Sequence, residues 1–324
     1  MLNPNLTELE QNLAAGQIAC PNCRALQPRD GLAALSTISC PSCGKPFLVG
    51  SQVGKYYLQE TVEGDEKGLF RALSPEDRDA LPVVVKVIPT EAKGDLEAIR
   101  ELWTEAQVGA LLNDTDFVVG CLDHGVSNGF YYIVCPDVVG EPLDHYVART
   151  GKLPVSHAIT LTLHLLAGLQ HLYRVGFLYR NFLPEKLLVT PAGYGVLAHL
   201  GHCRAIADAA EPPPYPAAEP PSQFFAPERL LNQGETLTSE LYSLGMVLFY
   251  ALTGTNYFTD DELADLTARG FRGKRPGNPQ LATLPTSLSI LLDSMLRFNR
   301  AERPQNCTEV ADSLKAILTE LEDD

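Results

Sequence analysis

No apolar run in this 324-residue chain approaches the roughly 18 residues that a membrane-spanning helix requires, so no spanning segment is expected. The N-terminus, Met1-Leu-Asn-Pro-Asn-Leu-Thr-Glu8, lacks the basic-then-apolar order of a secretory signal, and the expected location is the cytoplasm. Basic residues are scarce: 25 lysines and arginines face 40 aspartates and glutamates, for a formal charge of −15 and a pI near 4.9. That deficit argues against nucleic acid and against an anionic membrane as partners, because both bind through basic surfaces. A protein partner is the expectation that remains.

Cysteine is unevenly spread. Cys20, Cys23, Cys40 and Cys43 form C-x2-C-x16-C-x2-C, whereas Cys121, Cys135, Cys203 and Cys307 occur singly. In a reducing compartment two close pairs at this spacing predict a tetrahedral zinc site, and the single cysteines read as small buried hydrophobes. A closed four-thiolate site has no open coordination position, so the expected role is structural: a module of this size needs its metal to fold. Only Arg24, Arg29 and Lys45 are basic between residues 18 and 50, which disfavours nucleic acid as the ribbon's ligand.

The chain divides by pattern into an N-terminal helical segment (1–17), the ribbon (18–50), a strand-rich part with one helix (53–139) and a helical part (140–324). Pro82-Val-Val-Val-Lys-Val-Ile88 and Phe130-Tyr-Tyr-Ile-Val-Cys135 read as strands. Between them Leu96, Ile99, Trp103, Ala106 and Ala110 recur at helical spacing, predicting that this stripe faces a core. Later stripes are Leu161, Leu165, Leu169 and Leu172, then Leu241, Leu244 and Leu248, then Val310, Leu314, Ile317 and Leu321. Six prolines in residues 208–222 predict an extended, irregular surface segment.

Several motifs occur in one order. Val83-Val-Val-Lys86 resembles the Val-Ala-Ile-Lys strand of protein kinases, Gly176 to Val189 the catalytic loop, and Val196-Leu-Ala-His-Leu-Gly201 the strand and Asp-Phe-Gly turn. Ala226-Pro-Glu228 matches Ala-Pro-Glu, and Ser239 to Gly245 resembles the start of the long central helix. From about 53 to 320 the chain is similar to bacterial serine/threonine kinases of the eukaryotic-like class. The resemblance implies an α+β bilobal fold with a β-rich N-lobe and a helical C-lobe. It makes Lys86 the phosphate-orienting lysine, with Glu105 as its ion-pair partner, although a purely structural ion pair is the favoured reading of the two residues. It also implies architectural roles for Glu228, Glu240, which replaces the usual aspartate, and Arg303. Nucleotide contacts, if any, fall on Gly64, Lys86, Glu105, gatekeeper Cys135, and Pro136 and Val138 at the hinge.

The chemistry is altered. Where the family uses an aspartate to orient the substrate hydroxyl and an asparagine and an aspartate to hold magnesium, this chain has Asn181, Lys186 and His199, and Leu183 replaces the catalytic-loop lysine. An amide takes no proton, a lysine does not ligate magnesium, and imidazole is a poor ligand for a hard cation. The glycine-rich loop is equally changed: Val62 and Lys67 stand at glycine positions among Glu63, Asp65 and Glu66. Arg180 is expected to be solvated or backbone-bonded. These substitutions predict no catalytic residue, no ATP or magnesium, and a catalytically inactive pseudokinase acting as a scaffold or allosteric regulator in a bacterial signalling assembly. The rival readings are a nucleotide sensor without turnover and an atypical metal-independent, nucleotide-using transferase.

Overall fold

The computed structural model describes residues 6–62, 68–73, 83–90, 95–211, 222–272 and 275–323. Among these, no helix is long and apolar enough to cross a membrane. The chain forms two compact units: residues 1–106 with 121–137, and residues 107–120 with 138–324. Gly64, the altered loop around it and the proline-rich stretch from 212 to 221 lie outside the described residues.

The first unit opens with α1 (Leu6–Ala14), which stops where Gly16 takes a positive φ of 67°. Two short hairpins follow, β1 (Gln17–Ala19) with β2 (Leu26–Pro28) and β3 (Thr37–Ser39) with β4 (Pro46–Leu48). The next strands are β5 (Ser51–Val53), β6 (Tyr56–Thr61), β7 (Leu69–Leu73) and β8 (Val83–Pro89), then α2 (Leu96–Gly109), β9 (Asp123–Ser127) and β10 (Phe130–Pro136). β5 to β10 make one antiparallel sheet in the order β5-β6-β7-β8-β10-β9. In β8 the valines at 83, 85 and 87 point into the core while Lys86 lies on the other face, as a period of two requires.

The expected stripe on α2 is turned by about one residue. Ala106 is buried as expected, packed with Leu102 beside Ile133 and Cys121 and with Trp103 against them, but Leu96 is 74% exposed and Ala110 is exposed, and Leu102 and Glu105 take their place on the buried face. On this buried face the Glu105 carboxylate meets a cation on the sheet, Lys86. The helix begins at an N-cap, the side chain of Asp95 accepting from the Ala98 N–H at 3.0 Å.

The second unit contains β11 (Glu141–Pro142), α3 (Leu143–Thr150), α4 (Val155–Arg174), β12 (Phe177–Leu178), β13 (Leu187–Val189), β14 (Gly195–Leu197), β15 (Arg204–Ala205), α5 (Ile206–Ala209), α6 (Pro227–Leu230), α7 (Leu237–Thr253), α8 (Asp260–Ala268), α9 (Thr286–Met295) and α10 (Cys307–Asp323). The stripe Leu161, Leu165, Leu169 and Leu172 of α4 is buried as the leucine spacing predicts. α7 is apolar almost all round and runs through the core; a reciprocal Thr236–Ser239 capping box starts it and left-handed Gly254 ends it. Val310, Leu314 and Ile317 bury one face of α10, which packs on α4 and α9. Two small sheets, β11-β13-β14 and β12-β15, carry the loops on which the motif residues sit.

Candidate functional site

The two cysteine pairs sit on turns with the same hydrogen bonds. The Cys20 N–H donates to Ala25 at 3.0 Å and the Cys40 N–H to Lys45 at 2.9 Å; the Arg24 N–H returns to Cys20 at 2.8 Å and the Gly44 N–H to Cys40 at 2.9 Å. Arg24 and Gly44 both take positive φ, 60° and 72°, which closes each knuckle. All four Sγ atoms lie within 4.8 Å of one another, Cys20–Cys43 at 3.8 Å and Cys23–Cys40 at 3.6 Å. A tetrahedron with metal–sulfur bonds of about 2.3 Å has edges of about 3.8 Å, so the donor set fits a metal ion of that kind. The Cys43 backbone N–H, with help from Ser42 and the neighbouring thiols, pulls the Cys40 thiol down to about 6. The Ala25 N–H favours the Cys23 thiolate, but desolvation and the three other cysteines outweigh it and push Cys23 up to about 12.

The ribbon is joined to the sheet by packing as well as by chain. Leu35 and Leu48 pack against the sheet core of Val53, Tyr56, Leu58, Phe70 and Val85. Gly50 lies at the junction, where a Cβ would come 2.5 Å from the Tyr57 hydroxyl and 2.7 Å from the Leu58 carbonyl oxygen.

In the same unit Lys86 of β8 meets Glu105 of α2, Nζ to Oε2 3.3 Å, with side chains only 19% and 11% exposed. At the end of β10, Asp137 accepts from Arg71 Nε at 2.8 Å, and Arg71 also reaches Glu60 at 3.4 Å. Arg71 is held above its usual range chiefly by its bond to Asp137. This clamp beside Cys135 and Pro136 escaped the sequence reading, because nothing in the spacing of residues 71 and 137 pairs them.

In the second unit the loop from 179 to 186 is anchored to the core. Tyr179 is fully buried and donates its hydroxyl to the Ala198 carbonyl at 2.7 Å. Arg180 takes a left-handed φ of 62°, an unusual conformation for a residue with a Cβ. Three contacts hold it: its N–H donates to both oxygens of Glu240 at 3.1 Å, its carbonyl accepts from Arg229, and its guanidinium pairs with Glu235 at 2.8 Å. The expectation of a solvated or backbone-bonded Arg180 holds in part: its guanidinium donates to the His202 carbonyl at 3.5 Å, but it is 12% exposed rather than solvated and has a carboxylate partner, Glu235, that is 3% exposed. No motif flagged Glu235, since a glutamate 55 residues away gives no local signal. Glu240 is completely buried; desolvation and the Glu235 charge raise its carboxyl to about 7 against the pull of the Arg180 N–H and of Arg229 and Arg180.

Asn181, 2% exposed, donates its amide to the His199 carbonyl at 2.9 Å, which leaves Oδ1 as its acceptor. His199 itself sits at φ 55°. Leu183 and Lys186 share one turn, the Lys186 N–H donating to the Leu183 carbonyl at 2.8 Å. Arg303 clasps Glu228 in two parallel bonds of 2.7 and 2.9 Å, and Ser239 adds a third at 2.5 Å. Burial would raise the Glu228 carboxyl, but Arg303 and Ser239 hold it below the usual range.

A strand lysine tied to a helix glutamate, a left-handed loop seated on a buried helix carboxylate and a glutamate clasped by a late arginine are together the frame of a kinase-like α+β fold. Residues 71–314, more than half of the chain, match the family model for the protein kinase domain, and the chain belongs to that family. It is 30% identical over 270 residues to the serine/threonine-protein kinase PknA of Mycobacterium tuberculosis, covering 82% of this chain and 61% of that protein. It is also 26% identical over 273 residues to the probable serine/threonine-protein kinase CPE1738 of Clostridium perfringens, 83% of this chain and 39% of that one. For PknL of M. tuberculosis the identity is 25% over 270 residues, 82% and 66%. The chain thus spans about three fifths of the length of PknA.

These findings overturn the expectation of a catalytically inactive scaffold that is not an enzyme. The family match and the kinase names of the relatives point to an enzyme, and neither inactivity nor a scaffold role has support. The inactive reading rested on four substituted positions, Asn181, Leu183, Lys186 and His199, and on the altered glycine-rich loop, whereas the similarity is spread over 270 residues.

Proposed function

We propose that this chain is an ATP-dependent phosphotransferase of the serine/threonine protein kinase type, in which amide and cationic side chains stand where the family places carboxylates. The observation that carries this reading is the Lys86–Glu105 pair at 3.3 Å. It holds a cation on a central strand at the position where, by the family resemblance, nucleotide phosphates are oriented. The relatives are named as kinases, which supports the same reading.

Phosphoryl transfer depends mainly on positioning and charge stabilisation, because its transition state is loose. Asn181 Oδ1 can accept a hydrogen bond from a substrate hydroxyl and aim it without removing the proton, which leaves late, to water. Lys186 offsets charge on the transferred group as a point charge. The donors at the family's magnesium positions do not fit magnesium: charged Lys186 has no lone pair, and His199 offers nitrogen to an ion that prefers oxygen. The proposed chemistry therefore does not run through magnesium.

The four cysteines are proposed to hold one zinc ion that stabilises the ribbon, supported by the near-tetrahedral sulfur spacing. Thiols reserved for a metal must stay reduced, which supports a cytoplasmic location. Protein partners, including hydroxyl-bearing substrates, are proposed from the acidic surface.

The test is transfer of radiolabelled phosphate from ATP by the full chain to itself and to a generic serine/threonine acceptor, with magnesium and with chelator. The expected result is transfer that survives chelation, falls at least about 100-fold in Lys86→Ala and falls about 10-fold in Asn181→Ala. Transfer no greater than the Lys86→Ala background would overturn the proposal.

A further inference from the structure

Between residues 269 and 303 the chain carries seven lysines and arginines and only two acids, Asp293 and Glu302, in a molecule whose formal charge is −15. The second unit folds part of this basic stretch around a pocket of about 650 Å³. Leu231, Phe271 and Phe298 supply apolar wall, and Arg275, Arg297 and Arg300 supply guanidinium groups.

The positive charge there is incompletely neutralised. Arg275 and Arg297 both pair with the one carboxylate of Asp293, the latter at 2.6 Å. Arg300 donates to a main-chain carbonyl, that of Gly234, at 3.1 Å. Glu228 also borders the pocket, but Arg303 holds it bidentately. Glu302 accepts from Asn299 at 3.0 Å and is the remaining acid of the lining.

The apolar wall is fixed in place. Phe271 holds a φ of 53°, a conformation that a bulky residue rarely adopts, through a 2.8 Å bond from its N–H to the Leu266 carbonyl. Its ring meets that of Phe298 edge-on at 5.1 Å. Phe271 is 7% exposed and belongs to the hydrophobic core of the second unit, which fixes the part of its ring that borders the pocket.

We propose that this pocket is a docking site for an acidic peptide segment of a protein partner, with one apolar side chain seated against Leu231, Phe271 and Phe298 and carboxylates on Arg297 and Arg300. The volume lies within the range of pre-formed ligand sites, and arginine forks match carboxylates in geometry. Charge gives the direction: the molecule carries a formal charge of −15, whereas the exposed Arg297 and Arg300 of this lining offer cations that an acidic segment can meet. The inference does not depend on phosphoryl transfer, and its test reads binding only.

The probe is a fluorescein-labelled twelve-residue peptide of glutamate and aspartate around one phenylalanine, followed by anisotropy with the full chain at low and high salt. The expected result is saturable binding that a glutamine/asparagine version of the peptide lacks. Binding weakens at least about 30-fold in Arg297→Glu/Arg300→Glu, whose side chains are exposed, while the protein still unfolds cooperatively despite the lost Asp293 and Gly234 contacts. Arg300→Gln alone, which should disturb the fold least, is expected to weaken it about threefold. Absence of saturable peptide binding, equal binding by these variants, or a single-stranded twelve-nucleotide DNA binding as tightly as the peptide would each overturn the proposal.

Discussion

Removing the metal from the four-cysteine site is expected to loosen one edge of the kinase sheet more than thirty residues away from the lysine it carries. The proposed zinc would hold the ribbon's two knuckles together, and two of the ribbon's side chains, Leu35 and Leu48, are half-buried on the sheet core. Full burial of a leucine is worth about 1.5–3 kcal/mol, so two half-buried ones contribute about 2 kcal/mol together. β5 follows the ribbon after only Val49 and Gly50 and is the edge strand paired with β6, so it bears this loss directly. About 2 kcal/mol corresponds to exchange roughly 30-fold faster for amides that open with the edge. The measurement is hydrogen exchange by mass spectrometry on the full chain, comparing metal-loaded protein, chelated protein and Cys40→Ser/Cys43→Ser. Peptides covering 51–61 should exchange faster in the last two, while those covering β8 and β10 stay protected. Equal protection of residues 51–61 in all three would refute the coupling, because it would mean the leucine contacts survive without the metal.

Three further outcomes follow from the second unit. Glu228→Ala and Arg303→Ala should each cost about 3–5 kcal/mol in urea unfolding, since either leaves a buried charge alone, whereas Glu228→Met/Arg303→Leu should cost less than the sum; simple additivity would contradict direct coupling. Glu235→Ala should cost about 3 kcal/mol by stranding the guanidinium of Arg180, which is 12% exposed, and Glu235→Asp should recover part of it. Glu240 keeps its proton in the folded protein up to about pH 7 but releases it near 4.5 when unfolded, so its contribution to stability is full below pH 4.5 and is lost as pH rises to 7. Glu240→Gln should flatten that slope in a series of melting temperatures from pH 4.5 to 8; an unchanged slope would show that another group produces it.

What could be read directly from the chain is what short-range chemistry dictates. The two cysteine knuckles, the valine strand with its lysine, the leucine stripe of α4 and the Leu241, Leu244 and Leu248 stripe of α7 each follow from spacing over a few residues, where backbone geometry alone decides which side chains share a face. Motif order was likewise sufficient for the α+β class. The function was misread from the same letters, because the altered chemistry of Asn181, Lys186 and His199 is a local signal and membership of an enzyme family is a distributed one. Tertiary structure decided everything that depends on distant segments meeting. It turned α2 so that Leu102 is buried beside Ala106 while Leu96 is left exposed, paired Arg180 with Glu235 and Arg71 with Asp137, docked the ribbon leucines on the sheet, and gathered the arginines of residues 275–300 around one pocket. Those partners lie some 20 to 70 positions apart, and what selects them is the cost of burying a charge without its opposite, a term that exists only once the chain has closed around it.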